Sequence, residues 1–153
     1  MEPTFTHEWM CQRIVEESQA AIIFADRDGT IRLWNSGAEV MFGYSAKEAL
    51  GQNLDLIVPE RQRPRHWEGY GRVMATGVTK YGREPLAVPA MTKVGRRISI
   101  EFSIALLRSA SGEILGAAAI LQDVTARREQ QKQLRTRLAE LEGRVEQAGK
   151  SAP

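Results

Sequence analysis

Two histidines, His7 and His66, and one cysteine, Cys11, are the side chains best suited to nucleophilic or metal chemistry in this chain of 153 residues. A single cysteine excludes an intrachain disulfide framework, and histidines this far apart do not make the usual structural zinc spacings. Neither histidine has an obvious nucleophilic partner, so no Ser-His-Asp or Cys-His set can be assembled. There is no Gly-x-x-x-x-Gly-Lys loop. In Gly69-Tyr70-Gly71-Arg72-Val73-Met74, a methionine stands where a dinucleotide fingerprint needs its third glycine. Catalysis is not expected. What remains is His66, which with Tyr70, Val73 and Met74 falls at i, i+4, i+7 and i+8, one face of a helix. An imidazole there can serve as a metal ligand, or it can donate to a backbone carbonyl in the core.

The elements that would hold this helix follow from periodicity. Residues 3–19 read as an amphipathic helix carrying Phe5, Trp9, Ile14 and Val15. Ala21 to Ala25 and Ile31 to Trp34 flank Asp26-Arg27-Asp28-Gly29-Thr30, and an Asp-Gly turn between two apolar runs predicts a hairpin because Gly accepts positive φ. From Asn35 to Arg63 short helical pieces are broken by Gly43, Gly51 and Pro59, and Ser45-Ala46-Lys47-Glu48 has capping-box spacing. The His66 helix follows Pro64 and ends near Gly77. Gly69 and Gly71 weaken it by about 1 kcal/mol each relative to Ala, so packing must hold it. A strand over Arg83 to Thr92 contains Pro85 and Pro89, which suits an edge. Ile98, Ile100, Phe102, Ile104 and Leu106 alternate strictly along the next strand, and Glu113 to Val124 form the last. Two strands, a helical cluster and three strands predict an α+β fold with one antiparallel sheet.

Composition narrows the class. Hydrophobic residues make up 42% of the chain, enough for one core, and a net charge of +2 is too balanced to predict a nucleic-acid or membrane surface. The basic run Arg127, Arg128, Lys132, Arg135 and Arg137 is interleaved with Glu129 and Glu140 and reads as a solvated helix face. Ala20 to Ala25 and Ile114 to Leu121 are far shorter than the roughly 20 residues of a membrane span. No signal peptide is read at the N-terminus, so a cytoplasmic location is expected. Beyond Thr125, Leu134, Leu138, Leu141, Val145 and Ala148 are spaced 4, 3, 4, 3, which is about two heptads. A second copy of the chain would bury this stripe; a frayed, solvated helix is the alternative.

From about Ile14 to Ala126 the chain resembles a PAS domain. The resemblance lies in AIIFADRDGTIRLWN, GAEVMFGYSAKEALGQNL, VGRRISIEFSI and ILGAAAILQDVTARRE, closing on the Asp123-Val124-Thr125 junction between a PAS sheet and its output helix. It implies a five-stranded antiparallel sheet with helices packed on one face. The expected organisation is an N-terminal helical cap at 1–19, a PAS domain at 20–124, and a C-terminal signalling or coiled-coil helix and tail at 125–153. PAS domains are sensory and dimerisation modules, so the resemblance implies a sensor rather than an enzyme.

Val58-Pro59-Glu60, Arg63-Pro64-Arg65-His66 and Tyr70 resemble the helix of haem-binding PAS domains in bacterial oxygen-sensing kinases and phosphodiesterases. That resemblance implies His66 as the iron ligand of a haem that senses a diatomic gas or redox state. Tyr70, Arg72 and Met74 would flank it, Phe102 and Ile104 would form the far wall, and Ala117, Ala118 and Ala119 would leave room for a macrocycle. The gas-binding Arg of those sensors corresponds to Arg83 with a gap, or to Leu86 without one. Other occupants stay open. Cys11 lies outside the central helices, which argues against a light-driven flavin adduct, but a non-covalent flavin near Trp34 and Asn35 is compatible. So is a small apolar ligand anchored by His66, Arg72 or Tyr70, or an empty interaction module. Trp67, about 100° around the helix from His66, is expected at the surface or in a dimer contact, and Phe5 and Trp9 are expected to dock on a sheet or partner. The expected partners are a second copy, through the N- and C-terminal helices, and a downstream signalling protein, with no nucleic acid and no membrane. No kinase, cyclase or DNA-binding domain is read, so the chain is either a fragment of a larger sensor or a stand-alone PAS protein.

Overall fold

The computed structural model describes residues 4–79 and 87–152. Along the chain run α1 (His7–Glu17), β1 (Ala21–Asp26), β2 (Ile31–Trp34), α2 (Ser36–Phe42) and α3 (Ala46–Ala49). Two 3-10 turns follow, Leu54–Leu56 and Glu60–Gln62, and then α4 (Arg63–Thr76), β3 (Ala87–Met91), β4 (Arg97–Arg108), β5 (Ile114–Asp123) and α5 (Thr125–Ser151). The strands form one antiparallel sheet in the order β2-β1-β5-β4-β3. The N-terminal and C-terminal strands therefore meet at its centre, where β1 pairs with β5 from Ala21↔Leu121 to Asp26↔Gly116.

The hairpin forms as its sequence predicts. Asp26 Oδ1 accepts from the amides of Asp28 at 3.0 Å and Thr30 at 3.1 Å, and Gly29 takes φ +80°. In α3 the Ser45 hydroxyl accepts from the Glu48 amide while Glu48 Oε2 accepts from the Ser45 amide, a complete capping box. Pro64 sits in the first turn of α4, where its missing N–H costs nothing, and left-handed Gly77 ends the helix.

The core lies between the sheet and α2, α3 and the following turns. Ile31 and Phe42 are fully enclosed, joined by Ile23, Trp34, Ile57, Ile98, Ile100 and Leu121. Alternation sets the sides: Ala21, Ile23 and Ala25 of β1 are buried while Ile22 and Phe24 are half-buried. The opposite sheet face stays partly open, with Ile120 and Leu107 exposed. Pro89 lies in β3, a sheet edge, where a residue without an N–H is tolerated. Pro85, Arg83 and Leu86 lie outside the described residues.

Candidate functional site

The aromatic cluster of α4 is built by packing. His66, Trp67 and Tyr70 contact one another, with ring centroids 5.0 Å (His66–Trp67), 5.9 Å (His66–Tyr70) and 5.6 Å (Trp67–Tyr70) apart. Two of the three are pinned by hydrogen bonds to other elements. Trp67 Nε1 donates to Asp55 Oδ1 at 2.7 Å, and the Tyr70 hydroxyl lies 2.6 Å from Asp26 O and 3.1 Å from Ala25 O at the end of β1. The Trp67 ring also lies over Gly29, where an added Cβ would sit 2.2 Å from it. Gly29 is thus required twice, by its positive φ and by the indole.

His66 is held between these anchors without an anchor of its own. Its Nδ1 is buried and lacks a hydrogen-bond partner, alone in this among the described residues. Burial pulls its pKa below the ordinary histidine value, and the Asp55 carboxylate only partly opposes this. The ring is therefore neutral at physiological pH, the form in which imidazole ligates a metal. A neutral, half-buried imidazole with an unsatisfied nitrogen fits an iron ligand, so the chemistry of this residue is compatible with haem. Burial also pushes the Tyr70 hydroxyl up, to about 12, with the Asp26 and Asp28 charges adding to the effect.

The other expected pocket residues divide. Ile104 and Ala119 are register partners at the β4–β5 centre, with Phe102 opposite Leu121, and Phe102 and Ala119 pack against the core. All three are half-buried, so this stretch of the inner face is less fully covered than Ile98 and Ile100. Met74 is buried on α4. Arg72 is exposed and pairs with Glu68 at 3.2 Å, one turn back along α4. Trp67 is a correction, since it is turned onto the hairpin and the 54–56 turn rather than left at the surface. Arg83 and Leu86, the two positions matched to a gas-binding arginine, lie outside the described residues.

Trp34 and Asn35, the positions considered for a flavin, are both committed to the protein. Trp34 Nε1 donates to Tyr44 O at 3.0 Å, and its ring packs 5.5 Å from that of Phe42. Asn35 is 5% exposed and joins three elements. Its Oδ1 accepts from Ile22 N at 2.8 Å and Ala38 N at 3.0 Å; its Nδ2 donates to Val15 O at 2.8 Å and Ala20 O at 3.0 Å. Sequence reasoning left Asn35 open between a flavin site and a core position, and missed this hub. The signal available was an Asn directly before a helical run, which marks an N-cap. Asn35 also ties down α1, which buries none of its own residues and leaves Phe5 and Trp9 stacked edge to face on each other at 5.7 Å. Beside it, a cleft of about 450 Å³ is lined by Cys11, Val15, Leu33, Trp34 and Leu50, among others.

The exit to α5 is equally well fastened. Val124 is buried and its amide donates to Ser99 O at 2.8 Å, while Thr125 Oγ1 accepts from Ser99 N at 2.9 Å and lies 2.5 Å from Asp123 Oδ1. One turn on, Arg127 pairs with Glu101 of β4 at 2.6 Å. The helix root is thereby bound to β4 as well as continuous with β5.

Comparison with known proteins gives a consistent answer. A family model described as the PAS fold matches residues 15–129. The signal transduction histidine-protein kinase AtoS of Escherichia coli is 33% identical over 123 residues, covering 79% of this chain and 19% of that protein. The sensor protein FixL of Bradyrhizobium diazoefficiens is 39% identical over 61 residues, covering 40% and 12%. The oxygen sensor protein DosP of Escherichia coli is 23% identical over 121 residues, covering 79% and 15%. The chain thus spans no more than a fifth of the length of these relatives. Among solved structures, a PAS domain from Colwellia psychrerythraea superposes with a TM-score of 0.69 at 21% identity, covering 79% of this chain and 99% of that one.

Proposed function

Because this chain belongs to the PAS family and is a sensory signalling module of the PAS fold, we propose that its input is read at His66 of α4 through a bound haem, and that its output leaves through α5 of a homodimer. The observation that carries the haem reading is the unpartnered, buried Nδ1 of a neutral His66 held between Trp67 and Tyr70. Similarity to a protein named as an oxygen sensor supports the same direction. On this reading His66 holds the iron, Tyr70 and Met74 flank the site, and Phe102, Ile104 and Ala119 face it from the sheet. Haem would supply reversible binding of a diatomic gas or a change of redox state.

The protein's own part is transmission. Tyr70 ties α4 to the end of β1, and Ala25 and Asp26 there are register partners of Ala117 and Gly116 of β5. A ligand that favours one position of α4 by its differential affinity therefore biases β1 and β5, and β5 runs directly into α5. No catalytic step belongs to this role, and the proposed partners are a second copy and a downstream signalling protein, in the cytoplasm. No helix among the described residues is long and apolar enough to cross a membrane.

The test is the visible spectrum of the purified chain before and after adding hemin and removing the excess. A Soret band at one haem per chain is expected, and it should vanish in a folded His66→Ala variant. Absence of a stoichiometric band ends the haem reading. The second reading, an interaction module without haem, is favoured by one observation, the exposed leucine stripe of α5. It is distinguished by a wild-type dimer whose spectrum is featureless.

A further inference from the structure

Along α5, Leu134, Leu138, Leu141 and Val145 are all exposed, and none of the 27 residues of the helix is buried. Spacings of 4, 3 and 4 make Leu134 and Leu141 heptad d positions and Leu138 and Val145 heptad a positions. The flanking positions are then fixed. Arg137 and Arg144 are g, Arg135 and Glu142 are e, and Gly143 falls at f, away from the seam, with nothing near it. Arg127 at the root of α5 pairs with Glu101; among the described residues neither Arg137 nor Glu142 has an ion pair within the chain.

We infer that α5 pairs with α5 of a second copy in parallel, in a register set by Arg137 of each helix against Glu142 of the other. This rests on the dimer proposed above and adds its orientation and register. In a parallel pair, a g residue meets the e residue five positions on in the partner, so the two-fold axis generates this contact twice. The other g–e pairs, Gln130 with Arg135 and Arg144 with Gly149, carry no opposed charges. A slip of one heptad sets one helix's Arg137 against Gly149 and the other's against Arg135, and its single Arg144–Glu142 attraction is offset by that repulsion. An antiparallel pair sets g against g, bringing Arg137 to Arg144, so its Arg135–Glu142 attraction is offset by repulsion. Of these arrangements only the parallel, unslipped pair brings opposed charges together with no like-charge contact to offset them.

Charge reversal on the full chain tests this by sedimentation across a concentration series. Arg137→Glu alone and Glu142→Arg alone each turn two attractive contacts into two repulsive ones, so each should weaken the dimer by about tenfold at low salt. An equimolar mixture of the two variants should recover the wild-type affinity, because both cross-pairs become Glu against Arg again; the double variant should recover it too. Recovery also shows that the weakened single variants are folded. If single reversals leave a wild-type dimer untouched, or the mixture stays weak, the register is wrong while the dimer stands. A wild-type chain that is monomeric at every concentration overturns both.

Discussion

Replacing Asn35 by Ala removes one side chain and opens four hydrogen bonds in three elements. The Ala38 amide loses its N-cap acceptor, a loss of about 1 kcal/mol. The Ile22 amide, in the central strand, is left without the Oδ1 it donates to, at about 1–3 kcal/mol for a buried orphan. The carbonyls of Val15 and Ala20 lose their donor but lie where water can partly replace it, adding about 1 kcal/mol. The sum is about 3–5 kcal/mol, which for a domain of this size lowers the melting temperature by about 10 °C. Urea and thermal unfolding followed by circular dichroism read it directly. Asn35→Asp separates the two ends of the side chain. It keeps an acceptor for Ile22 and Ala38, but puts an oxygen where Nδ2 met Val15 O and Ala20 O. Its expected result is a folded sheet with α1 released, seen as fast amide exchange confined to residues of α1. A cost below about 1 kcal/mol for Asn35→Ala, or α1 amides in Asn35→Asp as protected as in the wild type, would refute the hub.

Two further outcomes follow from α4. The Tyr70 hydroxyl, at about 12 in the folded chain against 10.0 for an ordinary tyrosine, binds its proton more tightly when folded. It therefore contributes stability that is complete below pH 10 and is lost as pH rises toward 12. Tyr70→Phe should remove that alkaline loss and cost about 1 kcal/mol at neutral pH; an ultraviolet titration showing Tyr70 ionised near pH 10 in folded protein would contradict it. For His66 the sign is reversed. Its folded pKa lies below the ordinary 6.5, so the unfolded chain takes up the proton first, and stability is complete above pH 6.5 and falls as pH drops through the folded value. In ligand-free protein, urea midpoints at pH 8 and pH 5 should differ more for the wild type than for His66→Gln; equal differences would show that the ring is not desolvated.

The parts legible in the sequence are those where one local rule acts without competition. The hairpin was readable because Asp26 and Gly29 force the turn between two apolar runs, and α3 because Ser45 and Glu48 cap each other. Helix α4 and the strict alternation of β4 were readable from period alone. What escaped was decided by distant partners. Trp67 was assigned outward from its angle to His66, but the hairpin turn and the 54–56 turn, joined to each other through Leu54 N and Gly29 O, make one surface that covers it. Its contact is with the missing side chain of Gly29, which no period reports. Arg72 was considered as an anchor for a ligand, and its pairing with Glu68, four residues earlier, follows the i, i+4 rule for helix faces. Asn35 could be read as a cap, but not as the link to α1, because a backbone carbonyl such as that of Val15 leaves no mark in sequence.

The fastened root of α5 has a mechanical consequence. The last residue of β5 and the first of α5 are separated by Val124 alone, and that residue is buried and hydrogen-bonded to β4. No slack linker stands between sheet and helix. At 1.5 Å per residue the 27 residues of α5 form a rod about 40 Å long. A tilt of about 5° at its root, within what small changes in strand twist can produce, would carry its far end about 3–4 Å sideways. That displacement is comparable to the width of one methyl group, which is enough to unseat a leucine from the seam proposed for α5. The fold therefore acts as a lever whose short arm is the β4–β5 strand pair and whose long arm is the helix.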